Sequence, residues 1–468
     1  MKKNKNIIKQ INNLTLNDVV CVTAEDFSTS GTAVAFCDGY PLFIHGAVPG
    51  DKLTVCVTKL NKNYGFASIV KIIEKSPYRI TPVCPYFEKC GGCSMLNIDY
   101  KKQLEIKKNF VVSNISRIGG IKENEYMFEG ILGADSVLSY RNKAQFPVGI
   151  DDNQNPVCGF YSAKSHNIVP CDDCKIQAKE INITVNTIMD FVRKNNISIY
   201  NEKNHKGVLR HIYVRYSGDK TKEIMAVIVC ASNKPIKNSD KLADMLKTKI
   251  NLKSLIQNIN TQHSNVVLGY KNITLYGTPY IQVQPSNLKF NVSPNSFFQV
   301  NYEQMNKLYS KAVEYADITK KDTVFDLYSG VGSIALTIAN KAKKVIGVEI
   351  VEDAVINAKR NAELNNISNA EFYSGDCTET VQNLLNNGYT ADVVIVDPPR
   401  KGCDEKLINL ISLINAKKLV YVSCNSATLA RDIALLKNYG YTLKKLVCVD
   451  MFPHSLHIET AALLENNN

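Results

Sequence analysis

Four groups of residues toward the C-terminus have types and spacings suited to chemistry. The apolar run Leu419-Val420-Tyr421-Val422-Ser423 delivers Cys424-Asn425 to its end. A lone cysteine is most often a small core residue. One carried to the end of a parallel strand, beside an acid and a glycine loop, is better placed as a nucleophile. The run Val393-Val394-Ile395-Val396 ends in Asp397-Pro398-Pro399-Arg400. Paired prolines fix the backbone as it leaves the sheet edge. Asp397 falls at the carboxyl end of its strand, where open α/β sheets bind ligands. Glu459 stands in Pro453-His454-Ser455-Leu456-His457-Ile458-Glu459-Thr460, just before the apolar Ala461–Leu464. Its neighbours imply partial burial, which raises a carboxylate's pKa and makes it a better proton acceptor. The plain alternative is a capping or surface carboxylate. His454 and His457 are alternative bases, and each also reads as a structural histidine.

The fourth group is a glycine turn. Val324-Phe325-Asp326-Leu327-Tyr328-Ser329-Gly330-Val331-Gly332-Ser333 runs from a strand into a helix over Ile334–Asn340. Glycines there let the backbone pass close to a ligand. A second strand, Lys344–Val348, ends at Glu349, 19 residues after Gly330. An acid at that point can accept hydrogen bonds from both hydroxyls of a ribose. Ala335 satisfies the third position of a dinucleotide fingerprint only loosely.

The elements that position these groups follow from the pattern. From about Phe297, apolar runs at Thr323–Leu327, Lys344–Val348, Asp392–Val396 and Leu419–Ser423 alternate with amphipathic stretches. That alternation implies a mostly parallel sheet covered by helices. Short strands separated by Asp38-Gly39 and Pro49-Gly50 fill residues 13 to 75 and suggest a small barrel of the OB type. Between them lies a mixed α+β region with a lysine-rich helical stretch, Lys101 to Asn114, and strands Val208–Tyr216 and Ile224–Cys230. Its middle, from about Gln177 to Lys253, carries no visible chemistry and reads as scaffold and partner-facing surface. The expected domains are residues 1–80, 81–290 and 291–468.

Of 468 residues, 45% are hydrophobic, as in a soluble globular protein. The formal charge of +12, from 56 Lys and Arg against 44 Asp and Glu, favours a polyanionic partner such as nucleic acid. A general lysine bias would give the same number. No apolar run reaches the roughly 18 residues of a membrane span. The basic start Met1–Gln10 is followed by no apolar signal core. A cytoplasmic location is expected. Fourteen cysteines without such a signal argue against a disulfide framework. Three cluster as Cys84-x5-Cys90-Gly91-Gly92-Cys93. With one more thiolate they would suit zinc or an iron–sulfur cluster, and the residues alone do not decide.

Together these motifs are similar to the RNA uracil-5 methyltransferase family, most closely its 23S rRNA branch, and the resemblance covers nearly the whole chain. It implies a Rossmann-like class I methyltransferase domain using S-adenosylmethionine, preceded by a TRAM barrel. It implies that Cys424 of Ser-Cys-Asn is the nucleophile and Glu459 of His-x-Glu-Thr the base. Gln299, within Phe297-Phe298-Gln299-Val300-Asn301, joins Tyr328, Glu349 and Asp397 at the methyl donor. Asp397 also faces the uracil edge. The cysteine cluster is then a [4Fe–4S] site, with Cys174 in Cys174-Lys175-Ile176-Gln177 as fourth ligand; Cys171, three residues earlier, is the rival. On the barrel, Lys59, Lys62 and Lys71 with Tyr64 and Phe66 are candidates for phosphate and stacking contacts with RNA. The chain is expected to act as a monomer. Two other readings stay open: a tRNA uracil-5 methyltransferase, and a non-catalytic RNA-binding assembly factor.

Overall fold

A computed structural model describes residues 14–163 and 165–467. The basic stretch Met1–Gln10 lies outside them. The chain divides into two compact units: residues 1–107 with 454–456, and residues 108–453 with 457–468.

The first unit holds a closed five-stranded barrel: Val19–Phe27, Ala33–Cys37, Tyr40–Ile44, Lys52–Leu60 and Gly65–Glu74. Alternation puts Val22, Ala35, Leu42, Ile44, Leu53, Val55 and Val57 inside, the period-two pattern of a small barrel. Phe43, Tyr64 and Phe66 meet on it with ring centroids 5.6 to 5.8 Å apart. Asp51 is fully buried and paired with Arg79, and it also accepts the amides of Val48 and Ser76. That pairing holds its carboxyl below the usual range despite the burial.

The second unit holds two large sheets. One has seven strands, ordered Lys271–Gly277, Leu252–Ile259, Ile224–Cys230, Leu209–Tyr216, Lys143–Ile150, Pro156–Tyr161, Ile168–Pro170. The helices Lys179–Lys194 and Ser239–Lys247 pack on it. Their apolar stripes (Ile181, Val185, Ile188, Val192; Leu242, Leu246) follow helical spacing into its core.

The other sheet has eight strands, ordered Ala370–Ser374, Lys344–Glu349, Thr323–Leu327, Val393–Val396, Lys418–Ser423, Glu459–Asn466, Tyr441–Val449 and Met127–Leu132. The first five are parallel, so all deliver their carboxyl ends to one edge. Glu459–Asn466 runs antiparallel to its neighbours on both sides. The central strands are buried on both faces and read as largely apolar runs, as a helix-covered parallel sheet requires. The edge strand Met127–Leu132 comes from far upstream, out of the stretch expected to belong to the middle domain. It pairs in parallel with Tyr441–Val449.

Candidate functional site

Three strand ends of the eight-stranded sheet converge. Val396 pairs with Tyr421, which sets Asp397 beside the segment leading to Cys424. Ser423 pairs with Thr460, so Cys424 and Glu459 follow on opposite chains of an antiparallel ladder. The Thr460 hydroxyl donates to the Ser423 carbonyl at 3.1 Å and fastens that crossing. Asn425, next to the thiol, caps the helix Ser426–Lys437 by accepting the Ala427 amide at 3.1 Å.

Cys424 is half-buried. Burial pushes its thiol up to about 11, and Glu459 and Asp397 push the same way; Arg400 opposes them. Glu459 is 3% exposed. Burial first, then Asp397, lift its carboxyl well above the ordinary value, against the pull of Arg400. Asp397 rises to about 7 through burial. These four groups are therefore linked electrostatically at one sheet edge.

Arg400 is the member that the sequence reading passed over. Its Nη2 lies 3.2 and 3.1 Å from the two ring nitrogens of His457. Its carbonyl accepts from Asn425 Nδ2 at 3.0 Å and Thr428 Oγ1 at 3.3 Å. The loop after the paired prolines is thus tied to the start of the cysteine helix. Arg431 of that helix donates to the carbonyls of Lys401 and Cys403. The signal was present in the tetrapeptide itself: a cation directly after paired prolines at a ligand-binding edge. His454, an alternative base by sequence, belongs to the first unit. Gln103 accepts its amide at 3.0 Å and meets its Nδ1 at 3.1 Å, a structural setting.

The glycine turn ends the strand next to that of Asp397. Tyr328, Gly330 and Gly332 have φ of 64°, 56° and 80°, the left-handed turn that opens the strand end. A Cβ on Gly330 would meet nothing within 4 Å, so that backbone faces open space. Glu349 Oε2 accepts the Gly330 amide at 3.0 Å, and its Oε1 accepts the Val351 amide at 2.9 Å. The carboxylate is thereby fixed at its strand end. Ser329 Oγ is buried without a hydrogen-bond partner among the described residues. A held acid, an open glycine and an unpartnered hydroxyl fit a nucleoside-bearing cofactor.

Gln299 is buried. Its carbonyl accepts from Asn142 Nδ2 at 3.1 Å, and Asn142 N–H donates to Val300 at 2.8 Å. Arg215, 2% exposed, donates to the Ser296 carbonyl at 2.7 Å. Residues far upstream thus position the glutamine loop. Asn142 sits in the run Tyr140-Arg141-Asn142-Lys143, to which the sequence reading gave no role.

Cys84, Cys90 and Cys93 are half-buried, as is Cys174. The Gly92 amide donates to Cys90 Sγ at 3.4 Å. A hydrogen bond from Cys171 pulls the Cys174 thiol down to about 7. Among the described residues, no group of three or more His, Cys, Asp or Glu side chains is arranged to hold a metal ion. Nor is any described helix long and apolar enough to cross a membrane.

A glycine turn, a ribose-type acid and an Asp-Pro-Pro segment along one edge of a parallel sheet define a methyltransferase fold. The tRNA (uracil-5-)-methyltransferase family model matches residues 99–467, and the chain belongs to that family. Its methyl donor class is S-adenosylmethionine. Residues 14–70 match the TRAM domain. The chain is 41% identical over 449 residues to an uncharacterized RNA methyltransferase of Bacillus cereus, covering 96% of each. It is 43% identical to one of Caldanaerobacter subterraneus, covering 93% of this chain and 95% of the relative. The crystal structure of a tRNA (uracil-54, C5)-methyltransferase of Pyrococcus abyssi in complex with S-adenosyl-L-homocysteine superposes with a TM-score of 0.75 at 26% identity, covering 95% and 99% of the two chains.

Proposed function

We propose that this protein methylates carbon 5 of a uridine in 23S rRNA, with Cys424 as covalent nucleophile and Glu459 as base. The observation that carries this reading is the meeting of Cys424, Glu459, Asp397 and Arg400 at one sheet edge.

Carbon 5 of uracil is too weak a nucleophile to take a methyl group unaided. The Cys424 thiolate adds to carbon 6, and the electron pair of the ring double bond moves toward the carbonyl. Arg400 favours the thiolate electrostatically. Asp397, near 7, carries a proton for the enolate oxygen at neutral pH. S-adenosylmethionine, when bound, supplies the electrophilic methyl group that carbon 5 then takes. Glu349, Tyr328 and Gln299 would hold it. Glu459 removes the carbon 5 proton, the double bond re-forms, and the carbon–sulfur bond breaks to return the thiolate. The target base must leave its stack for this to happen.

The family resemblance of the segments holding Cys84, Cys90, Cys93 and Cys174 is what supports a [4Fe–4S] cluster over zinc. As placed, the described side chains form no metal-holding group, and no step of the reaction runs through one. Iron and acid-labile sulfide analysis of anaerobically purified protein tests the cluster.

The name of the Pyrococcus relative favours a second reading, in which the substrate is tRNA. Mapping 5-methyluridine in ribosomal and transfer RNA from a deletion strain separates the two. Loss confined to tRNA overturns the ribosomal assignment.

A further inference from the structure

The seven-stranded sheet borders a cavity of about 810 Å³, within the range of small-ligand sites. Its lining includes Tyr161, His166, Glu202, Lys203, Arg210 and His211. Arg210 and His211, from the strand Leu209–Tyr216, are only 5% and 9% exposed. Arg210 Nε and His211 Nδ1 have no hydrogen-bond partner among the described residues. The rest of the guanidinium is held in place. Its Nη1 donates to the carbonyls of Asn260 and Gln262 at 2.8 and 2.6 Å, and it packs 4.6 Å from the Tyr200 ring. Burial, with Arg210 beside it, holds His211 down to about 4, so it lines the cavity as a neutral imidazole.

The Tyr161 and His166 rings stack with centroids 5.0 Å apart at 30°. His166 Nδ1 lies 3.1 Å from Glu202 Oε2. The outer face of this aromatic stack, with a carboxylate at its edge, suits a planar heterocycle that presents two adjacent donors. Among the RNA bases only guanine does so, through N1–H and its 2-amino group. Adenine and cytosine set one donor beside an acceptor, and uracil sets one donor between two acceptors. Asp151 and Asp152 also line the cavity, and one Asp151 oxygen accepts the amides of Asn153 and Asn155; Glu202 is the carboxylate that lies at the aromatic pair, so it is taken as the reader. Lys203 supplies the positive charge for a backbone phosphate.

We propose that this cavity binds an unstacked guanine nucleotide of the RNA substrate, with the base against Tyr161 and His166 and its donor edge on Glu202. The proposal rests on the reading of the protein as an RNA methyltransferase. It adds a contact that selects sequence away from the methylated base.

The test titrates the full-length protein with GMP, AMP, CMP and UMP in a calorimeter. GMP should bind saturably and about tenfold or more tighter than the other three. Glu202→Gln should weaken it about tenfold, the size of one good base contact. Tyr161→Ala should do likewise, while Tyr161→Phe keeps binding and guards against misfolding. Cys424→Ala should leave it unchanged. No saturable GMP binding, equal binding of all four nucleotides, or full GMP affinity in Glu202→Gln overturns the proposal. Methylation of RNA by the wild type is read separately, so either idea can fail alone.

Discussion

Cys424 and Glu459 are the positions next beyond the Ser423–Thr460 pair of an antiparallel ladder, and Glu459 acts electrostatically on the Cys424 thiol. Cys424, the proposed nucleophile, leaves one strand at the point where Glu459 begins the next. That relationship carries the first prediction. Cys424→Ala should abolish turnover. Glu459→Gln should still add to carbon 6 and accept the methyl group, but the carbon 5 proton then stays. A covalent RNA–protein adduct should accumulate on denaturing gels, with release slowed by about 10²–10⁴-fold. If Cys424→Ala still makes 5-methyluridine, the covalent mechanism is wrong.

The same neighbours set the reactivity of the thiol. Burial, Glu459 and Asp397 raise it to about 11, and Arg400 lowers it. Alkylation proceeds through the thiolate, so labelling of Cys424 by iodoacetamide should climb with pH up to about that value. Removing a negative neighbour eases ionisation, so Glu459→Gln should shift the midpoint down. Arg400→Gln should shift it up. Mass spectrometry of the Cys424 peptide reads both shifts, and movement in the same direction would refute the arrangement.

The strand ends were legible in the sequence, because a parallel sheet covered by helices writes its strands as uninterrupted apolar runs. Cys424, Asp397 and Glu349 therefore came out at strand ends where the structure has them. What local pattern could not carry is pairing across long separations. The edge strand Met127–Leu132 joins its sheet more than three hundred residues upstream of its partner. Asn142 reaches Gln299 across 157 residues. Arg400 was read as the end of a motif, and its ties to His457 and the cysteine helix appear only once the loop is folded. The cavity beside Arg210 and His211 lies partly in the stretch between Gln177 and Lys253 that showed no chemistry, since its walls come from several separate strands.

Glu349, proposed to hold the methyl donor, also anchors the turn. Its two oxygens hold the Gly330 and Val351 amides. Glu349→Ala should raise the KM for S-adenosylmethionine by about 10–100-fold, the cost of losing charge-assisted hydrogen bonds. The KM for RNA should change little, and Glu349→Gln should fall between. Equal loss of affinity for both substrates would point to collapse of the turn instead.

Asp326 makes a prediction about stability. It is 1% exposed, one residue before the turn's Leu327, and accepts the Ala335 amide at 3.0 Å. Burial, then the nearby Asp397, push its carboxyl up to about 8. An unfolded chain releases that proton near pH 4, as ordinary aspartates do. Between about 4 and 8 the folded state therefore binds more protons than the unfolded one, and stability falls as pH rises through that window. An asparagine side chain at this position has no proton to lose and can still accept the Ala335 amide. Asp326→Asn should thus stabilise the protein at about pH 8, by on the order of 1–3 kcal/mol, and much less near pH 5. Calorimetric Tm values for both proteins across that range decide it. A stability difference that stays constant with pH would mean that Asp326 is ionised throughout and paired with a cation.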